Sequence, residues 1–557
     1  MEKKIEQKFY EWLNSNALSS EEKAELKGLE GNEKEITERF IADLEFGTAG
    51  LRGVMAMGTN RMNRHVIRHA TQGLANFLLL KEKSPSVAIA YDSRLNSELF
   101  AHEAARVLAA NGIKVHIYPT LMPVPALSFA VRQLKASAGI VVTASHNPKI
   151  YNGYKVYGPD GCQMTTNNAN AVLAEINKID MFDVKLVEFE NNRQISYISN
   201  ELIEKYYASV LKQSIEGPKE SKRILKITYT PLHGAGFIPV TTVLKSDGFD
   251  HVDIVEEQKN PDGNFTTCPY PNPEIQEAMN LGMKLMIKNG NDILIATDPD
   301  SDRAGVAVNR NGKATILTGN EIGILLFDFI YHARVKQNKL PDLPIVVKSI
   351  VSSDLINLMG EKFGVEIINV LTGFKFIGEQ ILLLEEKHEE YRYIFGFEES
   401  YGYLTNTDVR DKDAVNACIL ICEMANYYKH QGLTLLDRLN ELYKEFGPYK
   451  TQTISYEYPG LEGQARMKEL MTKLRAESFS LFDEVVSVGD FLTGIEKFKD
   501  HEGRITLPKS NVLKFTLPEH ETIIFRPSGT EPKLKAYIFA QEGHIQALHN
   551  KLDKILK

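Results

Sequence analysis

The sequence predicts an α/β protein of about four domains, with three related α/β units followed by a smaller α+β unit. Three observations support this prediction. The chain has 557 residues, and domains average roughly 150 residues. Strand-like apolar runs alternate with helix-like segments, and this alternation starts at three separate places in the chain. After residue 448 the alternation stops, which marks the last unit.

The first α/β unit is predicted to span residues 1–200. Its strand-like runs cover residues 87–90, 115–118 and 139–142, and residues 98–111 have the apolar spacing of a helix. Such alternation is typical of helices and strands stacked in layers.

The other three units follow in the same way. The second spans residues 201–320, the third 321–448 and the fourth 449–557. Their strand-like runs lie at residues 224–229, 251–255 and 292–296 in the second unit, at 343–347, 365–370 and 393–396 in the third, and at 521–525 in the fourth, where residues 463–475 have helical spacing. No long Pro- or Ser-rich linker separates the units, so we expect them to pack closely.

The composition excludes several classes of protein. Hydrophobic residues make up 43% and charged residues 25% of the chain, which is ordinary for a globular protein and excludes disorder as the main theme. The formal net charge of −8 argues against sequence-independent binding of nucleic acid, which usually needs a net basic surface. A local basic pocket for a small anion remains compatible with that charge.

The cellular compartment is also indicated by the sequence. The four cysteines include no CxxC pair, so neither a disulfide framework nor a zinc site is expected. The N-terminal residues lack the apolar core of a signal peptide, and no apolar run approaches the roughly 18 residues that suggest a membrane span. We therefore expect a soluble cytoplasmic protein, without a membrane partner, as a monomer or a homodimer.

A serine loop follows the strand-like run at 139–142 and reads Thr-Ala-Ser-His-Asn-Pro over residues 143–148. Open α/β sheets place ligand sites at such strand ends. Ser145, with His146 beside it and Lys155 downstream, has the equipment of a nucleophile or a phosphoryl carrier. An ordinary Asn-Pro turn with locally bonded hydroxyls is the alternative.

An acidic loop follows the run at 292–296 and places Asp298, Asp300 and Asp302 at every second position. Three carboxylates so close together repel one another unless a cation binds them. An EF-hand is excluded because its sixth and twelfth positions would be Arg303 and Asn309 instead of Gly and Glu. The loop therefore predicts one Mg²⁺ site, with a solvated acidic turn as the alternative.

Two further polar loops follow strands in the third and fourth units. Residues 397–402 (FEESYG) offer carboxylates and a hydroxyl that can bind sugar hydroxyls, although a charged turn is the alternative. Residues 526–533 (RPSGTEPK) combine a guanidinium, two hydroxyls and a glycine that lets backbone N–H groups approach an anion. This composition is typical of a phosphate cradle, and a plain Pro/Gly turn is the alternative.

Together these loops resemble the α-D-phosphohexomutase superfamily, whose members have a TASHNP serine loop, an acidic metal loop, a GE(E/M)S-type sugar loop and an RxSGTEP phosphate loop in this order. The resemblance covers nearly the whole chain. Residues 47–53 (GTAGLRG) and 372–375 (TGFK) fit it as well, and 410–413 resemble the REKDG-like segment of phosphoglucomutases. The set is most similar to the phosphoglucomutase and phosphopentomutase-like branch.

The resemblance implies a fold of four domains around a central cleft, with three α/β domains of mixed sheet and a C-terminal α+β domain. It also implies roles for individual residues. The implied catalytic residues are Ser145, His146, Lys155 and Arg52, and the implied metal ligands are Asp298, Asp300, Asp302 and a phosphate oxygen on Ser145. The implied substrate-binding residues are Arg303, Thr372, Gly373, Lys375, Glu398, Ser400, Arg410 and Lys412, and the implied phosphate-binding residues are Arg526, Ser528, Gly529 and Thr530.

The implied reaction interconverts a hexose 1-phosphate and a hexose 6-phosphate, with a phosphoserine at residue 145 and glucose 1,6-bisphosphate as intermediate and activator. Either His146 or Lys155 is the implied general base. Glucose phosphates are the expected substrates, with mannose phosphates as an extension. The alternatives are a phosphopentomutase, a glucose 1,6-bisphosphate synthase and a non-catalytic sugar-phosphate binder.

Three residues depart from the superfamily pattern. Phe397 replaces the Gly of GEES, Phe374 replaces the Trp of TGWK, and Pro299 stands where the metal loop often has Gly. The two phenylalanines bear on sugar specificity more than on mechanism, since the serine, the aspartates and Arg526 remain. Ser400 favours glucose, because the pentomutase-like relatives often lack serine at that position.

Overall fold

The computed structural model describes residues 2–47, 50–216, 222–458, 460–482, 484–528 and 533–557. The chain forms two compact units. The first comprises Met1–Leu317, Gly378–Glu390 and Tyr401–His430, and the second comprises Thr318–Ile377, Tyr391–Ser400 and Gln431–Lys557. Among the described residues, no helix is both long enough and apolar enough to cross a membrane.

The helices are numbered in chain order: α1 (Lys3–Asn14), α2 (Ser20–Lys27), α3 (Glu33–Phe40), α4 (Arg64–Lys81), α5 (Ser97–Ala110), α6 (Val124–Leu134), α7 (Thr166–Ile176), α8 (Asn200–Leu211), α9 (Phe237–Ser246), α10 (Glu256–Lys259), α11 (Gln276–Asn289), α12 (Gly319–Lys336), α13 (Leu355–Phe363), α14 (Phe374–Glu386), α15 (Ala414–His430), α16 (Leu435–Phe446), α17 (Gly460–Ala476) and α18 (Glu542–Leu556).

The strands are numbered likewise: β1 (Gly50–Val54), β2 (Ser86–Tyr91), β3 (Lys114–Ile117), β4 (Ala138–Val142), β5 (Tyr151–Tyr157), β6 (Ile195–Tyr197), β7 (Ile227–Thr230), β8 (Val252–Ile254), β9 (Ile293–Thr297), β10 (Ala304–Arg310), β11 (Lys313–Leu317), β12 (Ile345–Ser349), β13 (Glu366–Val370), β14 (Tyr393–Glu398), β15 (Gly402–Leu404), β16 (Tyr449–Glu457), β17 (Ser487–Asp490), β18 (Ile495–Phe498), β19 (Glu502–Arg504), β20 (Leu513–Thr516), β21 (Thr522–Pro527) and β22 (Lys533–Gln541).

Three amphipathic helices begin the first unit. Helix α1 buries Phe9 and Trp12 on one face, and the Trp12 ring meets Phe40 of α3 edge to face at 5.8 Å between centroids. Helix α2 starts at a capping box, in which Ser19 and Glu22 satisfy each other's backbone N–H groups. Arg39 of α3 donates to the backbone carbonyl of Met57, so these helices brace the chain that follows β1.

The first sheet of this unit has six strands in the order β1-β5-β4-β2-β3-β6. Strands β4, β2, β3 and β6 run parallel, whereas β5 pairs antiparallel with β4 and β1 pairs antiparallel with β5, so the sheet is mixed. Every residue of β4 is buried, as expected of a central strand covered by helices on both faces. Because β4 ends at Val142, the serine loop begins at the carboxyl edge of the sheet.

The second sheet has five strands in the order β11-β10-β9-β7-β8 and is also mixed. Strand β9 pairs parallel with β7 and antiparallel with β10. All five of its residues are apolar or uncharged and buried, and it ends at Thr297. The acidic loop is therefore the short connection between two paired strands, which holds both of its ends.

The second unit contains β13, β12 and β14 of a four-stranded sheet with the order β13-β12-β14-β15, and a separate antiparallel sheet. Strand β12 pairs parallel with β13 on one side and with β14 on the other. The antiparallel sheet has seven strands in the order β16-β22-β21-β20-β17-β18-β19, and α17 and α18 cover one face of it through side chains such as Met471, Leu474 and Leu552. This is the predicted C-terminal α+β domain.

The predicted fold class is confirmed: three α/β domains are followed by an α+β domain. The observed elements overlap the predicted ones, with small shifts at their ends. The predicted strand at 224–229, for example, is β7 at Ile227–Thr230, and the predicted helix at 98–111 is α5 at Ser97–Ala110.

Candidate active site

The serine loop places the hydroxyl of Ser145 against the acidic loop. Ser145 has a left-handed backbone (φ 52°), and its N–H donates to the Thr143 hydroxyl at 2.8 Å. Its own hydroxyl donates to Asp298 Oδ2 at 2.9 Å and lies 3.1 Å from His146 Nδ1. A non-glycine residue in a left-handed turn is uncommon and often marks a functional site.

Arg94, which follows β2, holds the backbone of the serine loop. Its guanidinium donates to the backbone carbonyls of Ser145, Asn147, Pro148 and Tyr151, and the bond to Pro148 is 3.1 Å long. Asp92 fixes this arrangement, because its carboxylate accepts from the Arg94 N–H and from the Thr143 hydroxyl. The turn that presents Ser145 is thus fixed through its backbone.

The acidic loop brings Asp298, Asp300 and Asp302 together. One carboxylate oxygen from each lies within 4.8 Å of those of the other two, and all three residues are buried. Asp298 Oδ1 accepts the backbone N–H groups of residues 302 and 303, which orients that carboxylate toward the serine. The predicted ligands therefore converge on one point.

The charge of this cluster favours a bound cation. Burial and the neighbouring carboxylates raise the pKa of Asp298 and Asp302, whereas for Asp300 the effect of burial is outweighed by Lys155 and the pKa is lowered. Asp300 Oδ1 and Asp302 Oδ1 are buried and accept no hydrogen bond from the described residues. Since carboxylate oxygens are the usual ligands of Mg²⁺, the residues fit a hard divalent cation.

We expect the stabilisation of the protein by Mg²⁺ to grow as the pH rises. Without a metal, the folded protein holds protons on Asp298 and Asp302 more tightly than the unfolded chain does, because their pKa values are raised. This difference stabilises the fold below the ordinary carboxyl pKa, and the stabilisation is lost as the pH rises through the raised values. A bound cation takes the place of those protons. Thermal unfolding with Mg²⁺ and with chelator should therefore differ more at about pH 8 than at about pH 5. An equal difference at both would contradict the assigned site.

Two lysines from distant segments neutralise part of the carboxylate charge. Lys155 of β5 lies 3.2 Å from Asp300 Oδ2 and 3.7 Å from Asp302 Oδ2. Lys412 lies 2.8 Å from Asp302 Oδ2. Both side chains are mostly buried, so these ion pairs are shielded from solvent. The structure thus brings both predicted lysines to the acidic loop.

Three further predicted groups of the first unit, Arg52, Arg303 and His146, lie beside the serine loop or the acidic loop. Arg52 of β1 donates to Asn147 of the serine loop at 3.2 Å. Arg303 forms a 2.8 Å ion pair with Glu274. Burial, with Arg303 and Arg52 nearby, lowers the pKa of His146 well below its ordinary value. These surroundings therefore favour the uncharged form of the imidazole.

Arg410 lies apart from the aspartates. Its side chain has no exposed surface, and its guanidinium binds Glu385 at 2.6 Å. Glu385 also binds Arg132 at 2.8 Å, so the three residues form an ion-paired cluster. The substrate-binding role of Arg410 stays a prediction from the sequence.

In the second unit, the predicted sugar loop follows β14. Glu398 is the last residue of that strand and is 5% exposed, and Ser400 is partly exposed in the turn. The neighbouring Glu399 accepts a 3.0 Å hydrogen bond from Ser349 at the end of β12. The carboxyl ends of these two parallel strands thus place the loop at one edge of the sheet.

The segment from Thr372 to Lys375 lies at the same edge, after β13. Gly373 has φ 119°, a conformation that favours glycine, and Lys375 lies over the ring of Phe376 at 5.0 Å. Phe374 and Phe397, the two departures from the superfamily pattern, are both buried. A Cβ added to Gly323 of α12 would come within 2.4 Å of the Phe397 ring. Both phenylalanines are therefore part of the core of the second unit.

The predicted phosphate loop begins at the end of β21. Arg526 lies in that strand opposite Lys535 of β22 and beside Tyr537. Ser528 donates its backbone N–H to the Lys533 carbonyl at 2.8 Å, which closes the loop. Gly529 and Thr530 lie outside the described residues, as do positions 48 and 49 of the 47–53 segment.

The sequence reasoning missed a second support of the acidic loop, the turn at residues 231–236 after β7. Gly234 packs so closely on Pro299 that a Cβ would lie 2.4 Å from the Pro299 Cα, and Ala235 N–H donates to the Pro299 carbonyl at 2.8 Å. A Cβ on Gly236 would lie 2.6 Å from the Ser301 hydroxyl. The signal in the sequence is a Pro/Gly-rich loop directly after a predicted strand.

We expect Gly234→Ala to displace the acidic loop. The added methyl group overlaps backbone that cannot move without shifting Pro299, so we expect a loss of about 1–3 kcal/mol in the free energy of unfolding. Mg²⁺ should also bind at least about ten-fold more weakly. Titration of activity against Mg²⁺ measures the second effect. Gly543→Ala is a control, because no atom lies within 4 Å of its added Cβ; equal metal affinity in the two variants would refute the expectation.

Comparison with protein families gives three matches along the chain. Residues 43–183 match phosphoglucomutase/phosphomannomutase α/β/α domain I, residues 204–312 match domain II and residues 318–446 match domain III. Among individual proteins, the chain is 38% identical over 509 residues to a phosphoglucomutase of Staphylococcus haemolyticus, covering 90% of each chain. It is 38% identical over 512 residues to a phosphoglucomutase of Staphylococcus aureus, covering 90% of this chain and 91% of the relative.

Solved structures show the same fold. A phosphoglucomutase/phosphomannomutase family protein from Burkholderia thailandensis superposes with a TM-score of 0.68 at 18% identity, covering 92% of this chain and 96% of that one. The open form of a phosphoprotein from Paramecium, parafusin, superposes with a TM-score of 0.69 at 17% identity over the same shares. Both matches extend through the C-terminal domain, beyond the three family models.

Proposed function

The chain belongs to the phosphoglucomutase/phosphomannomutase family and is a phosphomutase, and from this premise we propose that it interconverts glucose 1-phosphate and glucose 6-phosphate through a phosphorylated Ser145. Mannose phosphates are a further proposed substrate class. Relatives that are 38% identical over nine-tenths of the chain support phosphoglucomutase activity as the main function. The product is an isomer of the substrate, so the enzyme is an isomerase.

One observation carries the proposal: the Ser145 hydroxyl lies 2.9 Å from a carboxylate of the three-aspartate cluster. A phosphoryl group on this serine would stand beside two lysines and the residues that fit a divalent cation. Phosphoryl transfer needs in-line positioning and neutralisation of the phosphoryl oxygens more than it needs covalent chemistry from the protein. Lys155 and Lys412 beside the aspartates support the second requirement, the neutralisation of charge.

The chemical steps balance as two transfers. A free hydroxyl of the sugar phosphate attacks the phosphorus on Ser145, the bond from phosphorus to Ser145 Oγ breaks, and the proton that the sugar hydroxyl loses is balanced by one that Ser145 Oγ gains. In the second transfer, Ser145 Oγ attacks the other phosphorus of glucose 1,6-bisphosphate, the bond from that phosphorus to the sugar oxygen breaks, and the serine loses its proton while the sugar oxygen gains one. The bisphosphate is therefore both the intermediate and the activator that restores an enzyme whose serine is bare.

We assign the proton transfer at Ser145 to His146. Its Nδ1 lies 3.1 Å from the serine oxygen, within reach of the proton that moves at that atom. Lys155, the other candidate base, is engaged by two carboxylates and acts as a cation. Lys155, Lys412 and Arg52 are thus the groups that offset phosphoryl charge.

The metal and the substrate are proposed to bind as follows. One Mg²⁺ held by Asp298, Asp300, Asp302 and a phosphate oxygen on Ser145 supplies positive charge against the transferred group. The sugar and the non-reacting phosphate are proposed to bind to Arg303, Thr372, Gly373, Lys375, Glu398 and Ser400, and to Arg526, Ser528, Gly529 and Thr530. Glu398 and Ser400 combine an acceptor and a hydroxyl, which suits hydroxyls common to both substrate orientations.

A substrate panel tests the proposed function. With glucose 1,6-bisphosphate present, we expect kcat/KM for glucose 1-phosphate to exceed that for ribose 1-phosphate by at least about ten-fold, which corresponds to 1.4 kcal/mol of transition-state discrimination. A preference for the pentose would make the enzyme a phosphopentomutase. Accumulation of bisphosphate as the end product would indicate a synthase, and binding without turnover would indicate a silent sugar-phosphate binder.

A further inference from the structure

We propose that Phe265 is a positioning residue for Ser145, acting through Arg94. This inference rests on the proposed role of Ser145. Phe265 lies in the second domain, in the loop between α10 and α11, and has no contact with the serine itself among the contacts described above. Its ring instead fixes the guanidinium that holds the serine loop.

The side chains of Phe265 and Arg94 pack against each other in the protein interior. Phe265 has no exposed surface, and the Arg94 guanidinium carbon lies over its ring, 4.9 Å from the centroid. Arg94 itself is 3% exposed. A guanidinium is planar, and its N–H donors lie in that plane, so an aromatic ring against one face sets the plane and leaves the edges for hydrogen bonds.

The N–H groups at the edges of the Arg94 guanidinium bind the backbone of the serine loop. Arg94 Nε donates to the Ser145 carbonyl at 3.2 Å, and Nη1 donates to the Pro148 and Tyr151 carbonyls at 3.1 and 3.3 Å. These bonds span the whole connection from β4 to β5. Tilting the guanidinium would therefore shift the backbone that carries Ser145, because several carbonyls depend on one rigid group.

Phe265 is itself held in place by the residues around it. His233 contacts the loop on both sides of Phe265, with Nδ1 3.0 Å from the Asn260 carbonyl and Nε2 2.8 Å from the Thr267 hydroxyl. Gly263 of this loop approaches the first domain so closely that a Cβ would lie 2.6 Å from Leu95 N. Phe265 adopts φ 48°, a conformation that this enclosure maintains.

These contacts join the two halves of the active site. Gly234, next to His233, packs on Pro299 of the acidic loop. The second domain thus supports the metal ligands through Gly234 and the serine loop through Phe265 and Arg94. Because phosphoryl transfer depends on alignment at the scale of 1 Å, this shared support sets the position of Ser145 relative to Asp298.

The chain provides a matched control. Phe249, also in the second domain, is 2% exposed and lies under the guanidinium of Arg223, with 4.7 Å from the guanidinium carbon to the ring centroid. Arg223 binds Asp247 and Glu423 and makes none of the described contacts with the serine loop. Phe265→Leu and Phe249→Leu therefore remove the same kind of buried contact, one at the active site and one away from it.

The test compares both leucine variants, Phe265→Met and Arg94→Lys in the full-length enzyme. We expect both leucine variants to lose similar thermal stability, but only Phe265→Leu to lower kcat, by about ten-fold, with KM changed less than about two-fold. Phe265→Met serves if the leucine variant does not fold. In an Arg94→Lys background, Phe265→Leu should lower kcat no further, because it acts through Arg94.

Hydrogen exchange separates this inference from the proposed function. Amides of residues 144–151 should exchange faster in Phe265→Leu and Arg94→Lys than in wild type and Phe249→Leu, whether or not the enzyme turns over glucose phosphates. If wild type had no mutase activity but the four proteins showed this exchange pattern, the proposed function would be refuted and the positioning role of Phe265 would stand. Equal kcat and equal exchange in Phe265→Leu and Phe249→Leu, or additive losses with Arg94→Lys, would overturn the positioning role.

Discussion

Ser145→Ala is expected to lower phosphoglucomutase kcat by on the order of 10⁴-fold or more, because removal of a covalent nucleophile leaves only the binding and electrostatic contributions of the site. Alanine has no side-chain oxygen at residue 145 to which a phosphoryl group could be transferred. Coupled assay of glucose 6-phosphate formation measures the loss, and intact mass should show a phosphoryl group on wild type that the variant lacks.

The fold should survive this substitution. Ser145 is small, and alanine removes only the contacts of its hydroxyl with Asp298 Oδ2 and His146 Nδ1, at a cost of about 1 kcal/mol. Ser128→Ala is a suitable control, since Ser128 is another fully buried serine of the same unit whose hydroxyl donates to the Gly161 carbonyl. Retained turnover in Ser145→Ala, or an equal loss in Ser128→Ala, would refute the phosphoserine assignment.

Asp300→Asn is expected to lower kcat/KM by about 10³-fold, because several kcal/mol of charge stabilisation depend on the cation that this residue helps to hold. The amide retains acceptors for Thr143 and Lys155, which contact Asp300 Oδ2 at 3.1 and 3.2 Å in wild type. What it removes is one negative charge from the cluster. Activity measured against Mg²⁺ concentration should therefore show a half-saturating value raised by at least about ten-fold.

Asp253→Asn provides the comparison for this variant. Asp253 belongs to the same domain, and its carboxylate accepts hydrogen bonds from Asn289 and Asn291 at the end of β8. We expect its activity and its Mg²⁺ dependence to match wild type. Addition of chelator should stop turnover in wild type and in Asp253→Asn alike, and undiminished activity in chelator would exclude a metal in the reaction.

The fold and the centre of the site were predictable because both depend on short-range patterns. Fully apolar runs such as 139–142 and 292–296 identify central strands, and polar residues directly after them identify loops at the sheet edge. Ser145 and the three aspartates are found in this way. The same rule would also have found Asp92 and Arg94, which follow β2, had their loop been considered alongside the others.

Other features depend on packing between distant segments and have no local signal. Arg410 and Lys412 are two residues apart, yet Lys412 reaches Asp302 while Arg410 is enclosed with Glu385 and Arg132. Nothing in the segment itself distinguishes the two cations. Likewise, Phe397 departs from the superfamily pattern at the sugar loop, but its ring fills the space that the missing side chain of Gly323 on α12 leaves open. That packing has no signal in the local sequence.

The antiparallel strands β1 and β5 were missed for a similar reason. They join the edge of the first sheet, where polar residues such as Arg52 and Lys155 interrupt the apolar pattern that predicts a strand. Both interrupting residues belong to the active site. The local pattern is therefore weakest where the functional side chains lie.

The bond between Ser145 and Asp298 also bears on how the enzyme is made. It joins residues 153 positions apart, one at the end of a strand in the first sheet and one in the second. Contacts between residues so far apart in sequence form late in folding, because ordering the chain between them costs conformational entropy before the contact can stabilise the fold. Because domains are generally completed in chain order during synthesis, we expect the contact between Ser145 and Asp298 to form only after the second domain has folded.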